Sequence, residues 1–197
     1  MRAHWLVGLV FAACSPDIAA GSYLCGPEQL CPEGQACNGV DNTCVLPTQV
    51  EPFACPDSQD PAGDDAPSAG QLIDNLTCVS RTSESKGCLL QNDVADWYQF
   101  DVPGNCTAVQ IEARLTFPIA YEPLVLQISS MDGPAGPAET ACPSTTFPDE
   151  GEAIRCFKLV VENGSHHAIG LVHQGSEDCH GACANNRYTL SLQLSTP

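Results

Sequence analysis

The sequence predicts an all-β protein, an antiparallel β-sandwich preceded by a small disulfide-rich module. From about residue 71 onward, apolar and polar residues alternate with a period of two, and no long segment has a helical period. The 197-residue chain also contains thirteen cysteines, spread over most of its length. Such usage is typical of disulfide-bonded proteins in oxidising compartments.

The N-terminus has the organisation of a signal peptide over residues 1–13. It has one positive charge and a nine-residue apolar run, which is too short to span a bilayer. The run ends in FAAC, which resembles the lipobox of bacterial lipoproteins. The resemblance implies that Cys14 is the lipid attachment site and that residues 14–24 form a lipid-anchored tether. The alternative is an ordinary secretory signal cut near Ala19-Ala20, with Cys14 discarded.

Twelve cysteines remain once Cys14 is set aside. An even count predicts a disulfide framework. Zinc is the competing interpretation, and it is weakened because no CxxC pair occurs anywhere in the chain. The disulfide candidates are Cys25, Cys31, Cys37, Cys44, Cys55, Cys78, Cys88, Cys106, Cys142, Cys156, Cys179 and Cys183.

Residues 25–44 form a cysteine-rich knot with the spacing C-x5-C-x5-C-x6-C. The segment has too few aliphatic residues to bury a core of its own, so disulfides must hold it together. Four cysteines allow three pairings, and we expect the interleaved one, Cys25–Cys37 with Cys31–Cys44, because it compacts a short loop-rich unit.

Residues 45–70 are acidic and rich in Pro and Gly, which predicts a solvated linker and domain entry. We expect Cys55 in this segment to be bonded to the sandwich. A calcium site is the alternative interpretation of four carboxylates, although the alternating acidic positions of an EF-hand are absent. These are Asp57, Asp60, Asp64 and Asp65.

Residues 71–197 carry the strands of the predicted sandwich. In 109–117, alternate residues from Val109 to Phe117 share an apolar face, while Gln110, Glu112, Arg114 and Thr116 share a polar one. The segment 188–194 alternates in the same way. The further strand candidates are 97–102, 123–129, 154–161 and 167–172.

Three motifs in this region resemble the bacterial pre-peptidase C-terminal domain. Its D-x-D-W/F-Y-x-F strand is matched by Asp96, Trp97, Tyr98 and Phe100. Its G-x-Y-x-x-x-V strand lies near Gly164, His167 and Leu171. Its terminal Y-x-L strand is matched by Tyr188 and Leu190. The resemblance implies a jelly-roll-like β-sandwich that serves targeting or binding beside secreted proteases. No protease domain accompanies it here. The family's opening E-P-N-D is replaced by residues 60–70.

Residues 166–183 combine histidines, cysteines and acids, the residue types that bind zinc or copper. The metal candidates are His166, His167, His173 and His180. Oxidation of Cys179 and Cys183 to a disulfide is the alternative, and we favour the structural interpretation. The strand period places His167 and His173 on one face and His166 on the other.

No catalytic motif occurs: there is no G-x-S-x-G, no H-E-x-x-H and no phosphate-binding glycine loop. We therefore expect a protein that is not an enzyme and has no cofactor. An aromatic sugar platform could be formed by Trp97 and Tyr98. We expect Tyr98 to pack in the core and Trp97 to lie on the opposite, exposed face or at a strand end. Asn75, Asn105 and Asn163 begin N-glycosylation sequons, which matter only in a eukaryotic host.

The charge balance restricts the partners. With 24 acidic and 7 basic side chains the net charge is −17, which disfavours nucleic acid and anionic membrane surfaces. We expect a non-catalytic lipoprotein of the bacterial cell envelope, in the outer membrane, that binds an envelope polysaccharide or protein. The alternatives are an accessory or inhibitory partner of a separately encoded secreted hydrolase, and a metal-binding protein using residues 166–183.

Overall fold

The structure is a computed structural model, and this description covers residues 18–59, 63–73, 76–78, 82–90, 93, 95–106, 109–121, 123–130, 136–137, 139–174 and 186–195. Within these ranges, no helix has the length and apolar character needed to cross a bilayer. The signal peptide, Cys14, His180, Cys179 and Cys183 lie outside the described residues.

The knot is a two-stranded hairpin of β1 (Ala36–Cys37) and β2 (Cys44–Val45), preceded by a single 3-10 turn at Pro27–Gln29. Cys25 is bonded to Cys37 and Cys31 to Cys44, which confirms the interleaved pairing. Cys44 is completely buried and Cys25 nearly so. The two disulfides therefore occupy the place of a hydrophobic core in this segment.

Nine further strands form two sheets in the described part of the chain. The five-stranded sheet has the order β3-β5-β10-β7-β8 and the four-stranded sheet the order β4-β11-β6-β9. The strands are β3 (Gln71–Leu72), β4 (Thr82–Leu89), β5 (Asp96–Asp101), β6 (Val109–Pro118), β7 (Leu124–Ser130), β8 (Gly136–Pro137), β9 (Glu152–Val161), β10 (His166–His173) and β11 (Asn186–Ser195). Two more 3-10 turns, Pro47–Gln49 and Asp57–Gln59, precede them.

The two sheets enclose a single apolar core, so the predicted all-β sandwich is confirmed. In β11 the alternate residues are buried, as the period of two requires. From β4 to β7 each successive strand lies in the opposite sheet, a jelly-roll-like arrangement. The largest fully buried side chains are Phe100, Phe117, Leu89, Ile111, Leu115, Leu124, Leu126, Ile169, Leu171, Leu190, Leu192 and Leu194.

Three strands of the sandwich are absent from the prediction: β3, β4 and β8. β4 was not predicted, because its sequence TSESKGCL has only two apolar residues; it becomes a strand by pairing with β11 at the sheet edge. β3 is also an edge strand, and it pairs with β5 in parallel rather than antiparallel. Both strands depend on their neighbours for their hydrogen bonds, which local sequence does not reveal.

The entry segment 63–73 runs beside β5 at the edge of the five-stranded sheet, and it has packed as well as exposed residues. Asp64 is only 4% exposed, and its carbonyl accepts a hydrogen bond from the Trp97 N–H at 3.1 Å. The Trp97 side chain is buried with Ala95 and Ala168. Gly170 makes room for it, because a Cβ there would lie 2.7 Å from the indole ring.

Three more disulfides brace the sandwich. Cys55 is bonded to Cys88 in β4, and this bond ties the acidic segment to the four-stranded sheet. The other two are Cys78–Cys106 and Cys142–Cys156.

The knot docks on the sandwich through aromatic and cationic contacts. Phe53 packs edge-on against Tyr121 with ring centroids 5.2 Å apart, and Tyr121 belongs to the knot's own buried cluster. The Arg187 guanidinium lies 5.1 Å from the Phe53 ring centre. It also donates hydrogen bonds to the carbonyls of Gly39 and Val40. The knot and the sandwich therefore share one packed interface.

Candidate functional site

A concave surface lies on the outer face of the four-stranded sheet. This sheet-face cleft has a volume of about 280 Å³. Its floor consists of two cross-strand rows. One runs Glu84–Ser191–Arg114–Cys156 and the other Thr82–Gln193–Glu112–Lys158, in the strand order β4-β11-β6-β9. These are the polar positions of alternating strands, so the pleat directs all of them away from the core.

One wall of the cleft is the segment that precedes β9. The Thr140 N–H donates a hydrogen bond to the Cys156 carbonyl at 2.8 Å, and Cys142 is disulfide-bonded to Cys156. Ala141 and Pro143 complete this wall. The bridge and the disulfide hold the wall above the sheet, which turns a flat strand surface into a cleft.

Glu112 is the organising carboxylate of the floor. It forms an ion pair with Lys158 at 3.1 Å and accepts hydrogen bonds from Gln193 at 2.9 Å and Ser195 at 3.1 Å. The Lys158 contact, helped by those from Gln193 and Ser195, holds the pKa of Glu112 below its ordinary value. The carboxylate therefore remains ionised and occupied by its own neighbours.

Arg114 differs from Glu112 and Lys158, which form the ion pair of the floor. Its side chain is exposed, and no residue in the described ranges forms an ion pair or hydrogen bond with the guanidinium. Glu84 is separated from it by the intervening Ser191 strand, roughly 10 Å across two strand spacings. The cleft therefore presents an uncompensated bidentate donor beside hydroxyl and amide groups.

The sequence placed Arg114 on a polar face but did not identify it as a site residue. The signal lay in two separate features, the polar face of β6 and the cysteine pair 142 and 156. Neither feature by itself predicts a cleft, because the cleft forms only when β6 and β9 pair as neighbouring strands.

The three described histidine candidates, His166, His167 and His173, are not brought to one point. His166 and His173 lie at opposite ends of β10, about 23 Å apart at the rise of an extended strand. His166 pairs with Asp101 at 2.5 Å on the surface. His167 is buried and stacks on Phe100 with ring centroids 5.7 Å apart. A metal would need ligands that converge, and these three do not.

Ser165 and His167 come within hydrogen-bond distance without forming a catalytic pair. Ser165 Oγ donates to the Glu162 carbonyl at 2.5 Å and lies 2.8 Å from His167 Nε2. His167 Nε2 is then the donor to Ser165, not its base. The nearby acid, Asp101, is bonded to His166 instead. Burial, with the neighbouring His166, lowers the pKa of His167, which keeps the ring neutral.

Of the four acids considered for calcium, the structure describes the side chains of Asp64 and Asp65, and each has a hydrogen-bond partner in the protein. Asp60 and the Asp57 side chain lie outside the described set. Asp64 Oδ2 accepts a hydrogen bond from Gln71 at 3.0 Å. Asp65 is hydrogen-bonded to Asp93, a residue that the sequence did not single out. The only cysteine group close enough to hold a metal in the described chain is Cys25, Cys31 and Cys44, and all three are in disulfides.

A buried tyrosine–aspartate network lies between the two sheets. Tyr188 donates a hydrogen bond to Asp96, and the Tyr98 hydroxyl lies 2.9 Å from that of Tyr188. Burial raises the pKa of Tyr188 far above its ordinary value, and it raises that of Tyr98 to about 12. Both phenols therefore stay protonated. Tyr98 is in the core as predicted, while the burial of Trp97 removes the aromatic sugar platform.

Of the sequons, Asn75 and Thr107 lie outside the described residues. The Asn163 side-chain amide donates a hydrogen bond to the Cys106 carbonyl.

Comparison with known proteins gives likeness in structure only. No protein-family model matches the chain, and no curated protein sequence matches it significantly. Among solved structures, the pre-peptidase C-terminal domain of a collagenase from Bacillus anthracis is similar over 64% of this chain and 93% of its own, with 12% identity and a TM-score of 0.38.

Periplasmic inhibitors of g-type lysozyme are also similar. The Salmonella Typhimurium inhibitor PliG matches 64% of this chain and 98% of its own, with 9% identity and a TM-score of 0.39. A mutant of the Escherichia coli inhibitor has 10% identity and a TM-score of 0.41, over 64% of this chain and 99% of its own. TM-scores this low carry no argument about ligand or partner. The fold assignment rests on the strands and sheets of this chain itself.

Proposed function

We propose that this protein is a non-catalytic binding module of the bacterial cell envelope, held there through lipidated Cys14, with its ligand site in the sheet-face cleft. The observation that carries the proposal is Arg114, whose guanidinium has no ion pair or hydrogen bond among the described residues. The cleft around it is also lined by hydroxyl and amide groups, by the Glu112–Lys158 ion pair and by the carboxylate of Glu84. The disulfides support an extracytoplasmic location, because such bonds persist in oxidising compartments.

The cleft's chemistry favours a hydroxylated ligand that carries a carboxylate, which is the description of an acidic polysaccharide. Arg114 supplies a planar fork that matches a carboxylate, and the hydroxyls of Thr82, Thr140 and Ser191 supply partners for sugar hydroxyls. The rest of the surface is strongly acidic. The carboxylate of the ligand is therefore attracted by the nearby guanidinium of Arg114 and not by the protein's net charge, which is negative.

The test is calorimetric titration with uronic-acid oligosaccharides, with neutral oligosaccharides of equal length as the comparison. Arg114→Gln is expected to weaken binding about tenfold or more, since a hydrogen bond to a charged group is lost. Lys86→Gln is the matched control, because Lys86 is an exposed cation of β4 that does not line the cleft. Equal affinity of Arg114→Gln and the unmodified protein would remove the cleft as the ligand site.

A second candidate function is an accessory or inhibitory partner of a separately encoded secreted hydrolase, with the knot as its contact element. Leu30, Val40 and Leu46 are 66%, 46% and 48% exposed in the knot and its flank. No Lys or Arg occurs between residues 18 and 53. Exposed aliphatic side chains on a rigid, acidic unit favour a protein partner with a basic rim.

This candidate is tested with the double variant Leu30→Asp and Val40→Asp. It should abolish capture of the hydrolase activity from the host's culture medium and leave oligosaccharide binding intact. Val160→Asp is the control, because Val160 is 62% exposed on β9, far along the chain from the knot. Unchanged capture by the double variant would exclude the knot as the contact element.

A further inference from the structure

The disulfide Cys142–Cys156 closes an exposed loop whose two ends are fixed to the sandwich. At its start, Cys142 is covalently bonded to β9 and the Thr140 N–H is hydrogen-bonded to the Cys156 carbonyl at 2.8 Å. At its end, the Gly151 carbonyl accepts a hydrogen bond from the Ile119 N–H at 3.0 Å. A loop held at both ends loses little conformational entropy when it binds a partner.

Phe147 lies in the exposed part of this loop. Its side chain is 81% exposed, more than that of any other large apolar residue in the described ranges. Pro148 follows it in a trans peptide. A residue before proline is restricted to extended conformations, so Phe147 is presented in the backbone form that extended peptides adopt when they bind.

The charge of the loop indicates the kind of surface that Phe147 meets. Asp149, Glu150 and Glu152 follow it, and the one cation within residues 142–156, Arg155, forms an ion pair with Glu139 at 3.6 Å. An apolar side chain beside carboxylates fits an apolar pocket with a cationic rim. The same carboxylates oppose insertion into an anionic membrane, and two copies of a chain with net charge −17 repel each other.

We propose that residues 142–156 form a docking loop for a secreted serine protease whose primary specificity pocket is apolar, with Phe147 as the side chain that enters the pocket. Chymotrypsin-type proteases read a large apolar residue in such a pocket. The peptide bond after Phe147 is a poor one to cut, because Pro148 has no N–H and its ring obstructs the leaving-group side. The loop is therefore bound as a substrate is and released intact. This inference goes beyond the functions proposed above and stands on this loop alone.

The experiment uses the full chain with bovine chymotrypsin and trypsin as probes, since the two differ in pocket chemistry. The protein should competitively slow chymotrypsin's hydrolysis of a chromogenic peptide and leave trypsin unaffected. Phe147→Ser should weaken chymotrypsin inhibition at least 30-fold, the scale of an interface hot spot. Phe147→Arg should transfer inhibition from chymotrypsin to trypsin. An exposed loop position tolerates both changes without loss of the fold.

Three controls make the result specific. Val160→Ser removes another exposed apolar residue and should retain full inhibition. Arg114→Gln should also retain it, which separates this proposal from ligand binding in the cleft. The double variant Cys142→Ser with Cys156→Ser frees the loop and should weaken inhibition.

Several outcomes would overturn the proposal. Absence of chymotrypsin inhibition, equal inhibition by Phe147→Ser, or rapid cleavage after Phe147 seen by intact mass would each do so. Binding to phosphatidylcholine vesicles that Phe147→Ser abolishes would assign the residue to a membrane contact. Dimerisation that Phe147→Ser abolishes would assign it to a self-association surface.

Discussion

Asp96 places a carboxyl group between two apolar sheets, where an ion without partners is costly. Tyr188 on β11 donates to it across the two sheets, and the hydroxyl of Tyr98, which lies on β5 with Asp96, is 2.9 Å from that of Tyr188. Gly87 leaves the space for this arrangement, since a Cβ there would lie 2.2 Å from the Tyr188 hydroxyl oxygen. The network therefore links the two sheets by polar contacts in the middle of the core.

Removing the donor to Asp96 should destabilise the fold. Tyr188→Phe leaves the carboxyl without that hydrogen bond and is expected to lower the free energy of unfolding by about 1–3 kcal/mol. Tyr98→Phe, which removes the tyrosine–tyrosine bond and the contact with Gln71 but keeps the bond from Tyr188 to Asp96, should lower it by about 1 kcal/mol. Urea denaturation of both variants and of the double variant measures this, and an equal cost for the two single variants would contradict the assignment.

Asp93 should make stability depend on pH. Partial burial, with hydrogen bonds to Asp65 and Asp96, raises its pKa from 3.8 to about 8. The folded state thus holds a proton that the unfolded state has released, so the stability contribution is full below about pH 4 and is lost as pH rises through about 8. Asp93→Asn should flatten the melting temperature between pH 4 and 8. A profile identical to that of the unmodified protein would exclude this role.

At the scale of elements, a cation on β11 joins the knot to the sandwich, beside the Phe53–Tyr121 contact and the hydrogen bond from the Gln29 N–H to the Ala120 carbonyl. Arg187 reaches the carbonyls of Gly39 and Val40, the side chain of Asn42 at 3.1 Å and the ring of Phe53. These contacts span almost the whole sequence, from residue 39 to residue 187. The disulfides hold the knot together internally, whereas Arg187 fixes its orientation on the sandwich.

Arg187→Gln should therefore loosen the knot without unfolding either unit. Hydrogen exchange of amides in residues 38–53 is expected to speed up about tenfold or more, while amides in β6 and β10 remain protected. Arg187→Lys is the matched control for charge and should be intermediate, because lysine keeps the cation and loses the planar fork. Equal exchange rates in all three proteins would show that the disulfides alone orient the knot.

Strand prediction succeeded wherever one strand buries a clear apolar face. Six predicted strands correspond to β5, β6, β7, β9, β10 and β11, with ends shifted by at most two residues. β4 failed because an edge strand with polar residues on its exposed face has no strong alternation. The parallel pairing of β3 could not be predicted either, because two residues are too few to show a strand's alternation of apolar and polar side chains.

At the scale of the whole molecule, the five described disulfides connect regions that hydrophobic burial alone joins weakly. Cys55–Cys88 spans 33 residues and Cys78–Cys106 spans 28. Replacing Cys55 and Cys88 by Ser together should lower the free energy of unfolding by about 3–4 kcal/mol, because the unfolded chain regains the entropy of a long loop. Denaturant titration checks this, and a loss below about 1 kcal/mol would contradict it.

The anchor proposal also belongs to this scale. Cys14→Ser is expected to release the protein from the membrane fraction without changing its melting temperature, because the folded residues do not depend on the lipid. Palmitate labelling followed by fractionation measures the change, with Ser15→Ala as the control. Unlabelled native protein that still fractionates with the membrane would remove Cys14 as the anchor.

The sequence by itself determined the fold class and most strands, and it favoured the interleaved pairing among three possible in the knot. These follow from a period of two and from cysteine spacing, both of which are local properties. Only the tertiary structure decided that Trp97 is buried with Ala95 and Ala168, that Arg114 lines a cleft without an ion pair among the described residues, and that Phe147 lies exposed on a closed loop. The physical reason is that burial and charge compensation depend on which strands become neighbours, and β6, β9 and β11 meet only through pairings distant in the chain.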